Sequence, residues 1–415
     1  MKYFLILLFA ITCLSIVHAQ DNAHFWRPPL FIYEPRFEKN KLTTLEISLF
    51  GGNTRTSRNS CGNKVPLFDL WGPQQVQHLG QNLPLINTDN TLDQILINLN
   101  QLPPSQGFAT LSISGMFDLF EMFIDFYQNI INGFFIHFQV PVRVMAIENI
   151  AYDDFSPVIG ISNKNTPTWQ LFLANFKNIL HQFKVSDQPV HISATGDSTL
   201  LLGWAQNYEN TEYLDFIDTT IELGCLFPTG HKKNPHLLFD IASGYDGHWG
   251  MCVDWRGAIG LYDWLTLGAF MNGLFFFNRT KTKLVTTAGT SIIKLAQICV
   301  REKKGTLWLP GLYIKADHFV DGLSVLLGYS YAKKDHDYLV SCDSLFPNNL
   351  INNDQSLIGF KLHTLHGILS YDFSKDYRPY GPRIALFLNI PLHGKRVFDI
   401  LMGGATLGFD CAWDF

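Results

Sequence analysis

The sequence predicts an all-β fold: a transmembrane, antiparallel, up-and-down β-barrel of about 12–14 strands with long loops and an N-terminal plug or amphipathic loop helix. Three observations predict it. Apolar and polar residues alternate with period two in 13 segments, and a pleated strand with one greasy and one wet face reads this way. Hydrophobic residues make up 47% and aromatics 14%, but charged residues only 16%, where about 25% is usual for soluble domains. After the first residues no run of 18 apolar positions occurs, which excludes a helical membrane protein.

The N-terminus reads as a leader. Met1-Lys2 is a short basic start, Phe4 to Val17 is apolar, and Val17-His18-Ala19 offers a signal-peptidase site before Gln20. The expectation is a signal peptide over residues 1–19 and one outer-membrane barrel domain over 20–415, with 20–42 an N-terminal segment able to act as a plug and 43–415 the barrel. The other end is Leu407-Gly408-Phe409-Asp410-Cys411-Ala412-Trp413-Asp414-Phe415, alternating to the last residue. It resembles the terminal signal of bacterial outer-membrane barrels. The resemblance implies the outer membrane as location, its lipid as surroundings and the barrel assembly machinery as partner, with Phe409, Trp413 and Phe415 as the assembly signal.

The strands follow in order. Thr43 to Gly51 sets Leu45, Ile47 and Leu49 against Glu46 and Ser48. Phe108 to Ser114 and Leu119 to Gln128 alternate with opposite parity, so a turn or bulge is expected between Gly115 and Asp118. Phe134 to Ala146 gives the cleanest pattern. Phe134, Ile136, Phe138, Val140, Val142 and Val144 oppose a face carrying His137, Gln139 and Arg143, as acyl chains outside and water inside demand. Leu200 to Asn207, Phe216 to Phe227, His248 to Leu261, Leu265 to Phe277, Leu307 to Asp317, Leu323 to Ala332, Leu357 to Phe373, Pro382 to Leu392 and Ile400 to Phe415 complete the set. An even count then requires a further strand near Phe31 to Tyr33 or one bent strand around Gly115. Three stretches do not alternate: Asn53 to Gln106, Glu148 to Ser198 and Asn278 to Gly305. Within the second, Thr166 as N-cap and Pro167 in the first turn precede Trp169, Phe172, Leu173, Phe176, Leu180 and Phe183 at helical spacing, an amphipathic helix suited to capping apolar surface.

Residues of polar parity form the one constellation that could carry function: His137, Gln139, Arg143, Asp218, Glu222, His248, Asp254, Arg256, Asn272, Lys315, Asp317, Arg383, Asn389 and Asp410. A Lys or Arg facing lipid at the midplane costs about 2–4 kcal/mol, so a lumen-lining position is expected for them. They either pair with one another to hold a narrow lumen or line a solute path. No GxSxG, HExxH, Walker or EF-hand pattern occurs, so no enzyme, catalytic residue, metal or cofactor is expected; Asp335-His336-Asp337 reads as a solvated loop. A net charge of −5 speaks against nucleic acid. Cys225 and Cys411 sit on apolar parity. Cys61, Cys299 and Cys342 fall in expected loops, where an oxidising compartment permits a disulfide whose pairing stays open.

Phe227-Pro228-Thr229-Gly230 ends one strand, and after a polar loop Gly244-Tyr245-Asp246-Gly247 opens the next. This pattern, over about residues 199–415, resembles outer-membrane channels of the meta-pathway phenol-degradation type, relatives of the long-chain fatty-acid transporters. The Asn-Pro-Ala plug motif of those transporters is absent. The resemblance implies a monomeric barrel with an N-terminal plug, passing small hydrophobic or aromatic solutes. The expected role is a porin-like channel for passive passage of small solutes; the alternative is a non-transporting barrel acting as structural protein, adhesin or surface receptor.

Overall fold

The computed structural model describes residues 42–81, 83, 90–101, 109–155, 166–209, 214–262, 264–286, 292–320, 322–373 and 381–412. In chain order the strands are β1 (Leu42–Thr54), β2 (Thr56–Arg58), β3 (Lys64–Pro66), β4 (Gln74–Gln75), β5 (Thr110–Ile131), β6 (Phe134–Asp154), β7 (Val190–Thr195), β8 (Ser198–Glu209), β9 (Phe216–Phe227) and β10 (Gly250–Tyr262). They continue as β11 (Leu265–Phe276), β12 (Arg279–Val285), β13 (Ala296–Lys303), β14 (Leu307–Val320), β15 (Leu323–Lys334), β16 (Tyr338–Ser341), β17 (Lys361–Asp372), β18 (Arg383–Lys395), β19 (Val397–Phe398) and β20 (Met402–Ala412). Helices α1 (Thr91–Gln101) and α2 (Pro167–Gln182) lie in the first two long connections.

Twelve strands close into an antiparallel barrel in the order β5-β1-β20-β18-β17-β15-β14-β11-β10-β9-β8-β6, with β6 pairing back onto β5. Closure gives every interior strand two hydrogen-bonded neighbours, which is what a sheet needs in lipid. All neighbours are antiparallel. The connections alternate: short turns follow β5, β8, β10 and β14, while long connections follow β1, β6, β9, β11 and β15 and so gather at the opposite rim. Residue 42 of β1 pairs with 412 of β20 at the short-turn rim.

The outward face carries the apolar parity. Leu45, Leu49, Phe134, Ile136, Phe138, Leu200, Leu202, Ile221, Leu223, Leu312, Ile314, Leu386 and Leu388 are all exposed. Water would not tolerate so continuous a girdle; acyl chains do. The protein is therefore an integral β-barrel of the outer membrane. Phe409 is on this exposed face. Trp413, Phe415, residues 1–41 and the segment Phe31 to Tyr33 lie outside the described residues.

Several expectations change. The segments before and after Gly115 are one 22-residue strand, β5, whose register shifts between Ser114 and Met116. That bulge flips the parity and settles the even count. Beyond it the strand rises above the lipid and is covered on both faces: Leu111, Ser112 and Ile113 are all buried. The strand expected from Leu357 begins at Lys361, because Gln355–Leu357 is a 3₁₀ turn, and the last strand begins at Met402 rather than Ile400. The stretch Asn278 to Gly305 contains β12 and β13, which with β16 form a separate three-stranded sheet. The stretch before residue 106 holds α1, whose Ile95, Leu96 and Leu99 are buried. Helix α2 begins at Pro167 after Thr166, and buries Trp169, Phe172, Phe176, Ile179 and Leu180. Thr166 makes no side-chain cap hydrogen bond, so Pro167 at the first turn sets the start.

These outer pieces make a cap at the long-loop rim. Its core is continuous with the inward face of the barrel: Phe50, Phe123 and Phe387 of the barrel belong to one buried cluster with Phe68, Phe239, Phe398, Ile298 and Leu339 of the connections. Phe117 on β5 packs against Phe398 in a tilted ring pair, 5.2 Å between centroids, joining the two layers.

Candidate functional site

The inward face is built by register. Strands β1, β5, β6 and β9 each contribute alternate residues to the interior, and pairing sets which meet. His137 on β6 reaches Glu222 on β9 through Nδ1 (2.6 Å) and Asp125 on β5 through Nε2 (2.9 Å). An imidazolium donates to both carboxylates at once, which a neutral ring cannot do. His137 is fully buried and stacks on Tyr127 at 3.8 Å between ring centroids. Gln139 also donates to Asp125 (2.9 Å) and accepts from Thr199 (2.8 Å). Glu222 faces Arg256 on β10 (3.4 Å), Arg256 Nε faces Asp254 (3.2 Å), and Asn272 on β11 donates to Asp254 (3.1 Å). Six of the sequence candidates thus form one tier across the barrel: His137, Gln139, Glu222, Asp254, Arg256 and Asn272.

A second group adjoins it. Arg383 lies between Glu46 (3.4 Å) and Asp410 (3.2 Å), and Thr44 donates to Asp410 (2.7 Å). Glu46 sits directly across from Asp125 in the β1–β5 ladder, so the two groups share an edge. Asn389 Oδ1 accepts from His366 Nδ1 (2.6 Å), and His366 Nε2 reaches Ser330 Oγ at 2.7 Å. Lys315 pairs with Asp317 (3.0 Å), which accepts from Ser324 (2.9 Å). Arg143 binds Glu121 (2.8 Å) and donates to the Ser243 carbonyl of the cap. Asp218 is toward the short-turn end of β9, across from Ala258.

His248 departs from its expected place. The turn at Asp246 (φ 52°) and Gly247 (φ 86°) delays β10 to Gly250, so His248 lies before the strand, buried, with Nδ1 at 3.0 Å from the Phe277 carbonyl oxygen. Sequence reasoning singled out no partner for Arg143, His137 or Arg383. Glu46, Glu121 and Asp125 were visible only as polar-parity residues of their strands, and that parity was the available signal.

The Pro228-Thr229-Gly230 segment braces the cap onto the barrel. Thr229 donates to the Gly196 carbonyl (2.7 Å) and accepts from the Ser198 amide (3.0 Å). The buried Asp197 carboxylate accepts from the Gly230 amide (2.9 Å) and the Tyr245 amide. Glycine is required at 244, where a Cβ would lie 2.2 Å from the Asp197 carboxyl carbon.

Above the tier, the cap forms a pocket that opens to solvent, with a cavity volume of about 70 Å³. One wall is aromatic: Phe68, Trp71, Phe239 and Phe398. The other carries Lys233, Lys281, Lys283 and Lys294. Lys281 pairs with Asp246 (3.1 Å), Lys283 with Glu302 (3.0 Å), and Lys294 with Asp354, with Ser356 Oγ at 2.9 Å. Burial alone would raise the Asp354 carboxyl, but Lys294 and the Ser356 hydroxyl and amide together hold Asp354 below the usual carboxylate range. Lys233 has no ion-pair partner among the described residues. Burial, reinforced by Lys294, pulls its ammonium down to about 8. No group of three His, Cys, Asp or Glu is placed to hold a metal among the described residues.

No family model matches the chain, and no curated protein matches it. Solved structures are similar in architecture. An outer-membrane channel from Pseudomonas putida F1 is 9% identical over 93% of this chain and 100% of its own, with a TM-score of 0.48. The Pseudomonas putida toluene transporter TodX is 11% identical over 91% of this chain and 92% of its own, at 0.33. The monoaromatic hydrocarbon channel CymD is 7% identical over 91% and 90%, at 0.31.

Proposed function

We propose that the protein is a passive outer-membrane channel for small hydrophobic or aromatic solutes, with no catalytic step. One observation carries the reading. A continuous apolar column starts at the aromatic wall of the cap pocket, passes Phe398 and Phe117, and reaches Phe50, Phe123 and Phe387 inside the barrel. These rings are packed against one another and buried, so an apolar solute held at Phe68 and Phe239 advances toward the polar tier by exchanging contacts with them. The driving force is the solute gradient; the tier of His137, Glu222 and Arg256 is where passage is restricted. The leader (residues 1–19) delivers the chain for export, and the segment carrying Phe409, Trp413 and Phe415 engages the barrel assembly machinery.

A second reading, a non-transporting barrel whose cap is a surface receptor, is favoured by the full burial of His137 and Glu222, which leaves the tier closed. Liposomes loaded with the purified protein separate the two. The channel reading expects uptake of phenol, toluene or benzoate above protein-free vesicles, with sugars and phosphate slower. Absence of flux for every solute, with retained binding of aromatics to the cap, establishes the receptor.

A further inference from the structure

We propose that Cys299 and Cys342 form a disulfide that staples two outer connections of the cap together. The inference rests on the outer-membrane placement, since such a chain is exported through an oxidising compartment.

The geometry is set by the β13–β16 ladder. Val300 is opposite Ser341, Arg301 opposite Val340, Glu302 opposite Leu339 and Lys303 opposite Tyr338. The next rung is Cys299 opposite Cys342, and the Cys342 amide donates to the Cys299 carbonyl at 3.0 Å, so the pairing does reach it. Directly opposed, hydrogen-bonded residues of an antiparallel pair have Cα atoms about 5.5 Å apart. A disulfide needs about 4.4–6.8 Å. Both side chains leave the same face of the sheet, their thiols are hydrogen-bond neighbours, and both are exposed to a reagent from solution. No other cysteine pair among the described residues matches this. Cys61 is in the turn between β2 and β3, and Cys411 is exposed on the outer face of β20. Cys225 and Cys252 are on neighbouring strands, but Cys225 is opposite Met251, so the two thiols project to opposite faces of the barrel wall.

The reaction is thiol–disulfide exchange with a dithiol–disulfide oxidoreductase of the export compartment. One thiolate attacks the oxidant's disulfide, forming a mixed disulfide and releasing one oxidant thiol. The second thiolate displaces the other oxidant sulfur. Cys299 and Cys342 lose two electrons and two protons together, and the oxidant leaves as a dithiol. The bond joins the connection after β11 to the connection after β15, across the barrel hairpin β14–β15. It holds β16 on the sheet whose β12 strand carries Lys281 and Lys283 on the pocket wall. Without it that edge is held by a ladder of only four paired positions.

The test uses the full-length protein taken from membranes into detergent with maleimide present from lysis. Expected is a non-reduced peptide pair joining Cys299 to Cys342, no maleimide on either, and maleimide on both after reduction. Maleimide on both residues before reduction overturns the proposal, as does either one found linked to Cys61. In Cys299→Ser, Cys342 becomes labelled, and in Cys342→Ser, Cys299 does; failure of either partner to become free also overturns it. Trypsin supplies a second readout. Arg301 and Lys303 are exposed on β13, and reduction should speed cleavage there while the barrel keeps its unboiled gel mobility. Equal rates with and without reductant mean that the cap does not depend on the bond, and the stapling role falls. Failure of the barrel reading shows differently, as loss of detergent dependence and of the heat-modifiable gel shift.

Discussion

Replacing Glu222 with Ala tests whether the polar tier is a sealed, paired structure. Glu222 is fully buried and serves two cations, His137 at 2.6 Å and Arg256 at 3.4 Å. Its removal leaves the imidazole with Asp125 as its one carboxylate and the guanidinium with Asp254 as its one carboxylate, beside Tyr127. Deleting one partner of a buried ion pair costs about 3–5 kcal/mol, because the surviving charge stays desolvated. Here each cation keeps one carboxylate, and the Arg256 side chain is 29% exposed, so the low end applies. A loss of about 3 kcal/mol is expected, roughly a hundredfold in the folding equilibrium. Glu222→Gln keeps the shape and one acceptor and should recover part of it. Urea titration in lipid vesicles, followed by tryptophan fluorescence and by the gel shift on heating, measures both variants. Conductance in planar bilayers is the companion assay, and the Ala variant should conduct more than the parent because the closure at His137 is loosened. If Glu222→Ala matches the parent within about 0.5 kcal/mol, the noise of such comparisons, and conducts equally, the tier is hydrated and the reasoning fails.

Leu202→Arg should lower barrel stability by about 2–4 kcal/mol, since Leu202 is 56% exposed on the lipid face of β8; a neutral result in a folded-fraction titration removes β8 from the acyl region. Lys233 should acylate with a midpoint near pH 8 in competitive labelling, because its ammonium is pulled down to about 8 by burial and by Lys294. In linkage terms the folded cap releases that proton before the unfolded chain does, so stability rises with pH from about 8 to the ordinary lysine value of about 10.4, and the penalty is complete below 8. A Lys233 midpoint above 10 contradicts the burial of its ammonium. Gly244→Ala should destabilise the cap by about 1–3 kcal/mol, as the new methyl displaces the Asp197 carboxylate; protease sensitivity of the connection after β9 reads this out, and an unchanged pattern shows that Asp197 does not brace it.

The barrel was legible because lipid imposes the same alternation on every strand. Phe216–Phe227 came out with the boundaries its pattern gave, and His137 and Gln139 fell on the inward face for the same reason. Partners were not legible. His137 and Glu222 are 85 residues apart, and Arg383 meets Glu46 from the other end of the chain. Parity fixes which way a residue points but not how far a neighbouring strand is slid along it. The cap escaped for a different reason. Above the lipid both strand faces are covered, so β13 buries Glu302 against Lys283 of β12, and Thr110 and Ser112 are as buried as Leu111 and Ile113. Where both faces are interior, the contrast on which the reading depends disappears. His248 was misplaced because two left-handed residues, Asp246 and Gly247, shift the strand start by two positions, and parity has no means of seeing a turn it has already counted as strand.

Closure of the barrel also decides what can move. Each of the twelve strands is held on both sides by a ladder, so widening the wall would break backbone hydrogen bonds within lipid, where no water replaces them. Passage of a solute, as proposed, therefore has to come from side chains in the tier and from the cap. The two differ in kind. Tier residues are held by charge pairs at 2.6–3.4 Å, which a passing apolar solute cannot replace, so opening there requires water or a polar group on the solute. The cap is held by apolar packing around Phe68, Phe239 and Phe398, which an aromatic solute can replace contact for contact. On the proposed channel reading, an apolar molecule enters the cap and meets its barrier at His137 and Glu222. Solutes that join an aromatic body to one hydrogen-bonding group should cross faster than pure hydrocarbons of equal size, and a flux series from toluene to phenol measures that order.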